Sequence, residues 1–97
     1  VPDNSITLED MIIMSYEKVE WAKELTIGIN QTTKAIEHGL VEEVFLAKDA
    51  DRRLIQRIAL LCKEKGVPVN FVDSMKRLGK ACGIQVGAAA CAIKKSG

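Results

Sequence analysis

A chain of 97 residues, 47% hydrophobic and 28% charged, builds one domain around one core, and its formal net charge of +1 says little about partners. Its four aromatic residues (Tyr16, Trp21, Phe45 and Phe71) leave the core to Ile, Leu, Val and Ala, and are too few for a single-strand stacking platform. One histidine and three cysteines without C-x-x-C spacing exclude a zinc site and speak for reduced, buried thiols.

Residues 1–13 carry little periodicity and no basic stretch of a signal peptide. They read as an appendage to a domain spanning 14–97, with Met14 as its natural start. From Ser15 a helix is expected, capped by Ser15, with Lys18 at the capping-box position usually held by Glu or Gln. Val19 and Ala22 would face inward. Leu25 to Gly28 is a short strand. Asn30 then opens a helix as its N-cap, with Ile36 and Leu40 toward the core, and His38 and Gly39 close it. Val41 to Lys48 is an apolar run that reads as a buried strand. Asp49-Ala-Asp51 supplies a turn and a cap for a helix over Arg52 to Lys65, whose apolar stripe is Leu54, Ile55, Ile58, Leu61 and Cys62. Gly66 and Pro68 end it. Val69 to Val72 is a strand, Asp73 or Ser74 caps a short helix through Lys80, and Ala88 to Ile93 is a last strand.

Strict alternation of helix and strand predicts an α/β fold, a three-layer α/β/α sandwich around a small four-stranded mixed sheet. Binding groups in such sheets gather on loops at one end. The weakly polar run Ala81 to Ile93 is too short to span a bilayer, and a cytoplasmic protein is expected.

The stretch Gly28-Ile-Asn-Gln-Thr-Thr-Lys34 carries the most chemistry. Gln31 and Lys34 lie three apart and project from one face of a helix tip that also has unpaired N–H groups and a favourable dipole end. Phosphate can approach such a tip, while Asn, Gln and Lys can hydrogen-bond purine edges. An ordinary capped surface helix explains the same spacing. Charge is unevenly spread, acidic before Glu20 and basic after Phe71, where Lys76, Arg77 and Lys80 cluster. A solvated face explains that split equally. Between the basic helix and the last strand, Ile84 and Val86 either pack inward or form an apolar lip beside those cations, able to shield an unstacked base.

Enzymatic readings fail on the residues. Gly79-Lys80 lacks the first glycine of a phosphate loop and has Ala81 where Ser or Thr must reach magnesium. Gly79, Gly83 and Gly87 recur every four residues without matching a dinucleotide fingerprint. A nucleophilic pair of His38 with a cysteine has no supporting motif. No catalytic residue, metal or cofactor is expected.

Three segments in matching order resemble one family: Gly28-Ile-Asn-Gln-Thr-Thr-Lys34, Ala47-Lys-Asp-Ala-Asp51, and Leu78-Gly-Lys-Ala-Cys-Gly-Ile-Gln-Val-Gly-Ala-Ala-Ala90. The chain is similar, from about Ser15 to Ile93, to the kink-turn RNA-binding ribosomal-protein family of the L-seven-Ae and L-thirty-e type, and in particular to its short bacterial members. The resemblance implies a structured RNA partner, ribosomal or riboswitch-like, sharply bent beside tandem sheared G·A pairs. It also implies a monomer that engages neither DNA nor membrane. By that resemblance Asn30, Gln31 and Lys34 enter the groove at the bend, and Gly28 allows close approach. Asp51 and Ile55 flank the extruded nucleotide. The loop of Ile84, Gln85, Val86, Gly87 and Ala88 closes over it, and Lys76 and Lys80 serve nearby phosphates.

Two departures stand out. Gln31 and Gln85 occupy positions where many family members carry Glu, so the charge assistance a carboxylate gives to a guanine N–H bond is absent. This substitution and the low net charge are what a protein-interaction module on the same fold would also show.

Overall fold

The computed structural model describes residues 7–95. Along them run α1 (Leu8–Trp21), β1 (Leu25–Ile27), α2 (Ile29–Glu37), β2 (Val41–Ala47), α3 (Arg52–Lys65), β3 (Val69–Val72), α4 (Met75–Ala81) and β4 (Ala90–Lys94). The strands form one four-stranded mixed sheet in the order β1-β4-β2-β3. β4 is antiparallel to both its neighbours, and β2 is parallel to β3. Hence β1, β2 and β3 point one way and β4 the other. The chain leaves three strands and enters the fourth at the same end of the sheet.

The layers follow from side-chain alternation along β2. Phe45 and Ala47 point to one face, where they pack with Val72, Cys91, Tyr16 and Val19 of α1, and Leu78 and Ala81 of α4. Val44 and Leu46 point to the other, against Ala90, Ala92, Ala35 and Ile36 of α2, and Ile58 and Cys62 of α3. The expected α/β/α sandwich is present, with α1 and α4 on one side and α2 and α3 on the other. Burial on both faces explains why the strand reads as a continuous apolar run. Phe45, fully buried at its centre, contributes roughly 2–3 kcal/mol by leaving water.

α1 begins earlier than the sequence suggests. Thr7, not Ser15, is its N-cap, and a capping box links the Thr7 and Asp10 side chains to each other's backbone N–H. Ser15 lies mid-helix, buried, with its hydroxyl donating to the Met11 carbonyl at 3.0 Å. Val19 is buried as expected, whereas Ala22 is the C-cap and Lys18 pairs with Glu43 at 3.3 Å. Of the expected appendage, residues 1–6 lie outside the described residues, and Leu8 to Ile13 are the first turns of α1.

A polar clamp joins α1 to α4. The Tyr16 hydroxyl donates to Asp73 Oδ1, the Ser74 N–H donates back to that hydroxyl at 3.4 Å, and Arg77 pairs with Asp73 at 3.1 Å. The Arg77 guanidinium also lies 4.7 Å from the centre of the Tyr16 ring. Burial, and then the bond to Asp73, push the Tyr16 phenol up to about 12, while the same bond holds the Asp73 carboxyl below the usual carboxylate range. The neutral phenol is thus favoured by folding. Its contribution is whole below the ordinary tyrosine value near 10 and fades as pH rises through about 12. Asp73 adds stability above its ordinary range that is lost on acidification. Tyr16→Phe should cost roughly 1–2 kcal/mol at neutral pH, tempered by the exposure of Asp73. The chain has a single tyrosine, so an ultraviolet pH titration reports Tyr16 alone. Denaturant melts at rising pH should show a larger alkaline loss in the parent than in the phenylalanine variant, where the buried Cys62 thiol, pushed up to about 11, still contributes one.

Candidate nucleic-acid interface

α2 is opened by Gly28, not by Asn30. Gly28 holds φ at 94°, a conformation other residues rarely adopt, and its carbonyl accepts the Thr32 N–H at 3.1 Å. Asn30 is therefore the second residue of the helix, and no side chain caps the α2 N-terminus. The displacement leaves the expected face intact. Asn30, Gln31 and Lys34 are all exposed, and their spacing places them together on the side opposite Ile36, which is wholly buried. Leu40, expected in the core, is 48% exposed because the chain turns away at Gly39, whose φ is 68°.

Asp51 caps α3 with its carboxylate, accepting the Arg53 N–H at 2.8 Å, and stays exposed. Ile55, one turn on, is half-buried against the α2/α3 core. On the other side of the sheet, Ser74 caps α4, and Lys76 and Lys80 stand exposed one turn apart on it. Arg77 does not join them, since the Tyr16–Asp73 clamp holds it. Within the following loop, Ile84 packs toward the α1/α4 core and Ala88 is 3% exposed. Val86 is 70% exposed, with Gln85 and Gly87 open beside it. The apolar lip is thus Val86 alone, seated on an inward-facing Ile84 and Ala88.

A series of hydrogen bonds ties these segments into one surface. The Gly28 N–H donates to the Ala90 carbonyl at 2.8 Å, and the Ala47 N–H to the Ala89 carbonyl at 3.0 Å. The Ala88 N–H donates to the Met75 carbonyl at 3.0 Å, and the Met75 N–H to Asp49 Oδ1 at 2.8 Å. The start of α2, the turn before α3, the start of α4 and the loop before β4 therefore meet at the end of the sheet where three strands finish. The residues singled out from sequence fall on both flanks of that end. Lys48, within the Ala47–Asp51 segment but given no role there, and Arg52 just beyond it are exposed at the same end and enlarge its positive charge.

Sequence reasoning also missed why glycine occupies positions 79 and 87. A Cβ at Gly79 would lie 2.0 Å from the Val86 carbonyl oxygen, and one at Gly87 would lie 3.2 Å from Met75 Cβ. The loop rests directly on the α4 backbone. The four-residue glycine spacing was the available signal: Gly79 and Gly87 in it are packing positions, while Gly83 holds a φ of 85°. Burial pushes the Cys62 thiol up to about 11, and Cys91 is fully buried beneath the sheet's α1/α4 face. Among the described residues no cluster of His, Cys, Asp and Glu is arranged to hold a metal ion, and no helix is long and apolar enough to cross a membrane.

Known proteins resemble this chain in sequence and in fold. The RNA-binding protein BH0128 of Halalkalibacterium halodurans is 54% identical over 82 residues, which are 84% of this chain and 100% of that one. The RNA-binding protein YbxF of Geobacillus stearothermophilus is 54% identical over 80 residues, 82% of this chain and 98% of its own. Among solved structures, the Giardia lamblia 15.5kD RNA binding protein superposes with a TM-score of 0.84 at 28% identity, over 96% of this chain and 81% of that one. The family model described as "Ribosomal protein L7Ae/L30e/S12e/Gadd45 family" matches residues 14–97. With that match over most of its length and relatives more than half identical, the chain belongs to this ribosomal-protein family.

Proposed function

We propose that this protein binds structured RNA and recognises the kink-turn, a sharp bend beside tandem sheared G·A pairs with an extruded nucleotide. Residues 14–97 are the binding unit, acting as a monomer in the cytoplasm on ribosomal or riboswitch-like RNA. The observation that carries the reading is the junction at one sheet end of a polar helix tip and an exposed apolar residue, flanked by exposed lysines. Gln31 and Asn30 offer amides to the G·A edges and Lys34 a cation. Asp51 and Ile55 flank the extruded nucleotide, with Val86 above it and Lys76 and Lys80 on adjacent phosphates. The names of the relatives, all RNA-binding proteins, support the ligand class.

The mechanism is binding without chemistry. A kink-turn fluctuates between extended and bent forms, and a protein that binds the bent form shifts the population by its difference in affinity for the two. The test is titration into a kink-turn RNA carrying a dye on each arm, beside a partner RNA whose G·A pairs are replaced. Energy transfer should rise only with intact G·A pairs. A rise with neither RNA would sink the kink-turn reading and favour a protein-interaction module, the role that Gln31 in place of Glu leaves open.

A further inference from the structure

A buried polar pair stands directly beneath the helix tip. Thr32 of α2 is 0% exposed and Thr26 of β1 is 6% exposed, and their hydroxyl oxygens lie 2.9 Å apart. Valine has nearly the same shape as threonine and would fill either position without burying a hydroxyl. Packing alone therefore gives no reason for two threonines here. What a hydroxyl pair adds is direction, because a hydrogen bond between two short side chains tolerates little rotation of either backbone.

The neighbourhood needs such direction. The N-terminus of α2 has no side-chain cap and no acidic residue in its first turn, so the usual local anchors of a helix start are missing. β1, from which the helix departs, is only three residues long and pairs with β4 alone. Farther along, Ala35 and Ile36 seat the helix in the core beside α3 and β4, while at its start the backbone tie to the sheet is the Gly28 N–H to the Ala90 carbonyl, so the aim of the first turn is what a side-chain bond there can set. Each residue step along a helix is about 100° around its axis, so a small rotation of α2 would carry Asn30, Gln31 and Lys34 off their common aim.

We infer that Thr26 and Thr32 are positioning residues: their buried hydroxyl bridge fixes the rotation of α2 on the sheet and thereby aims Asn30, Gln31 and Lys34 at the RNA. The inference rests on the kink-turn reading for its ligand, but its geometric half can be measured without RNA. Replacing both partners by apolar groups of the same shape is nearly neutral for stability, so Thr26→Val combined with Thr32→Val removes the direction and keeps the packing.

The experiment uses the whole chain as parent, the double valine variant and Thr32→Ser, with two readouts. Residual dipolar couplings of the α2 amides give the orientation of the helix on the sheet, and the dye-labelled RNA pair gives the ratio of affinities for intact and replaced G·A pairs. The double variant should melt near the parent, shift its α2 couplings, and lose about tenfold in that ratio. Thr32→Ser, which keeps the hydroxyl, should retain both. Parental couplings or a parental ratio in the double variant would overturn the inference. If the parent itself fails to discriminate the RNAs, the kink-turn reading falls and the couplings alone decide whether the bridge sets the helix. Should the double variant not fold, Thr26→Val alone carries the same test, and parental couplings there count against it.

Discussion

Gly79→Ala should lower stability by roughly 2 kcal/mol and shift the melting temperature down by roughly 8–16 °C. Two effects compete at this position. In a helix, alanine in place of glycine ordinarily gains about 1 kcal/mol. Here the new methyl would sit 2.0 Å from the Val86 carbonyl oxygen and 3.1 Å from Gly87 Cα, both backbone atoms that no rotamer change can move. Overpacking against backbone therefore decides the sign, and the loop must lift from α4. The Ala88 N–H to Met75 bond and the seat of Ile84 go with it. RNA affinity should fall further than the loss of stability accounts for, because Val86 is carried away from its place beside Lys76 and Lys80. Calorimetry with RNA titration below the melting range separates the two effects. An alanine variant more stable than the parent would refute the close packing of loop on helix.

Lys34→Ala should weaken binding to kink-turn RNA by about 1–3 kcal/mol, roughly ten- to a hundredfold, with no comparable change in melting temperature. Lys34 is exposed, joins neither ion pair found among the described residues, and stands above Asn30 and Gln31 on the tip. Removing it therefore leaves no buried charge behind. Lys65→Ala is the matched control, since that lysine is equally exposed but ends α3 at the opposite end of the sheet. It should change affinity little. Equal losses from both substitutions would indicate general attraction to phosphate. A binding series across salt concentrations would then show the same slope change for each.

How much of this was legible in the sequence varied with the source of each feature. α3 was readable to the residue because its signals are local: the Asp51 cap, an apolar stripe at helical spacing, and Gly66 beyond its end. β2 was readable because it is buried on both faces. The start of α1 was not. Leu8, Met11, Ile13 and Met14 are apolar yet exposed, so they blur the helical period, and the capping box closes with Asp10 rather than Glu or Gln. Asn30 is a favourable cap residue by type, but the pairing of Gly28 with Ala90 across the sheet sets where α2 begins. That is a tertiary decision that a local pattern cannot record. The same holds for Ile84 and Val86, two similar residues with opposite fates, since only the course of the loop over Gly79 determines which one faces in. The candidate segments were more legible than their juxtaposition: their polar chemistry is local, while their meeting depends on strand order.

That strand order bears on how the proposed RNA surface is held together. β4 is the last of the eight elements among the described residues, yet it lies inside the sheet, paired with β1 on one side and β2 on the other. Without β4, β1 would have no strand beside it and the loop carrying Val86 no second anchor, while α2 would keep only its packing against α3 and β2. The proposed helical tip and lip are thus both tied to the same strand, which lies between β1 and β2. Two parts of the proposed surface that lie far apart in the chain thus share one support, and a change that loosens β4 should act on both together.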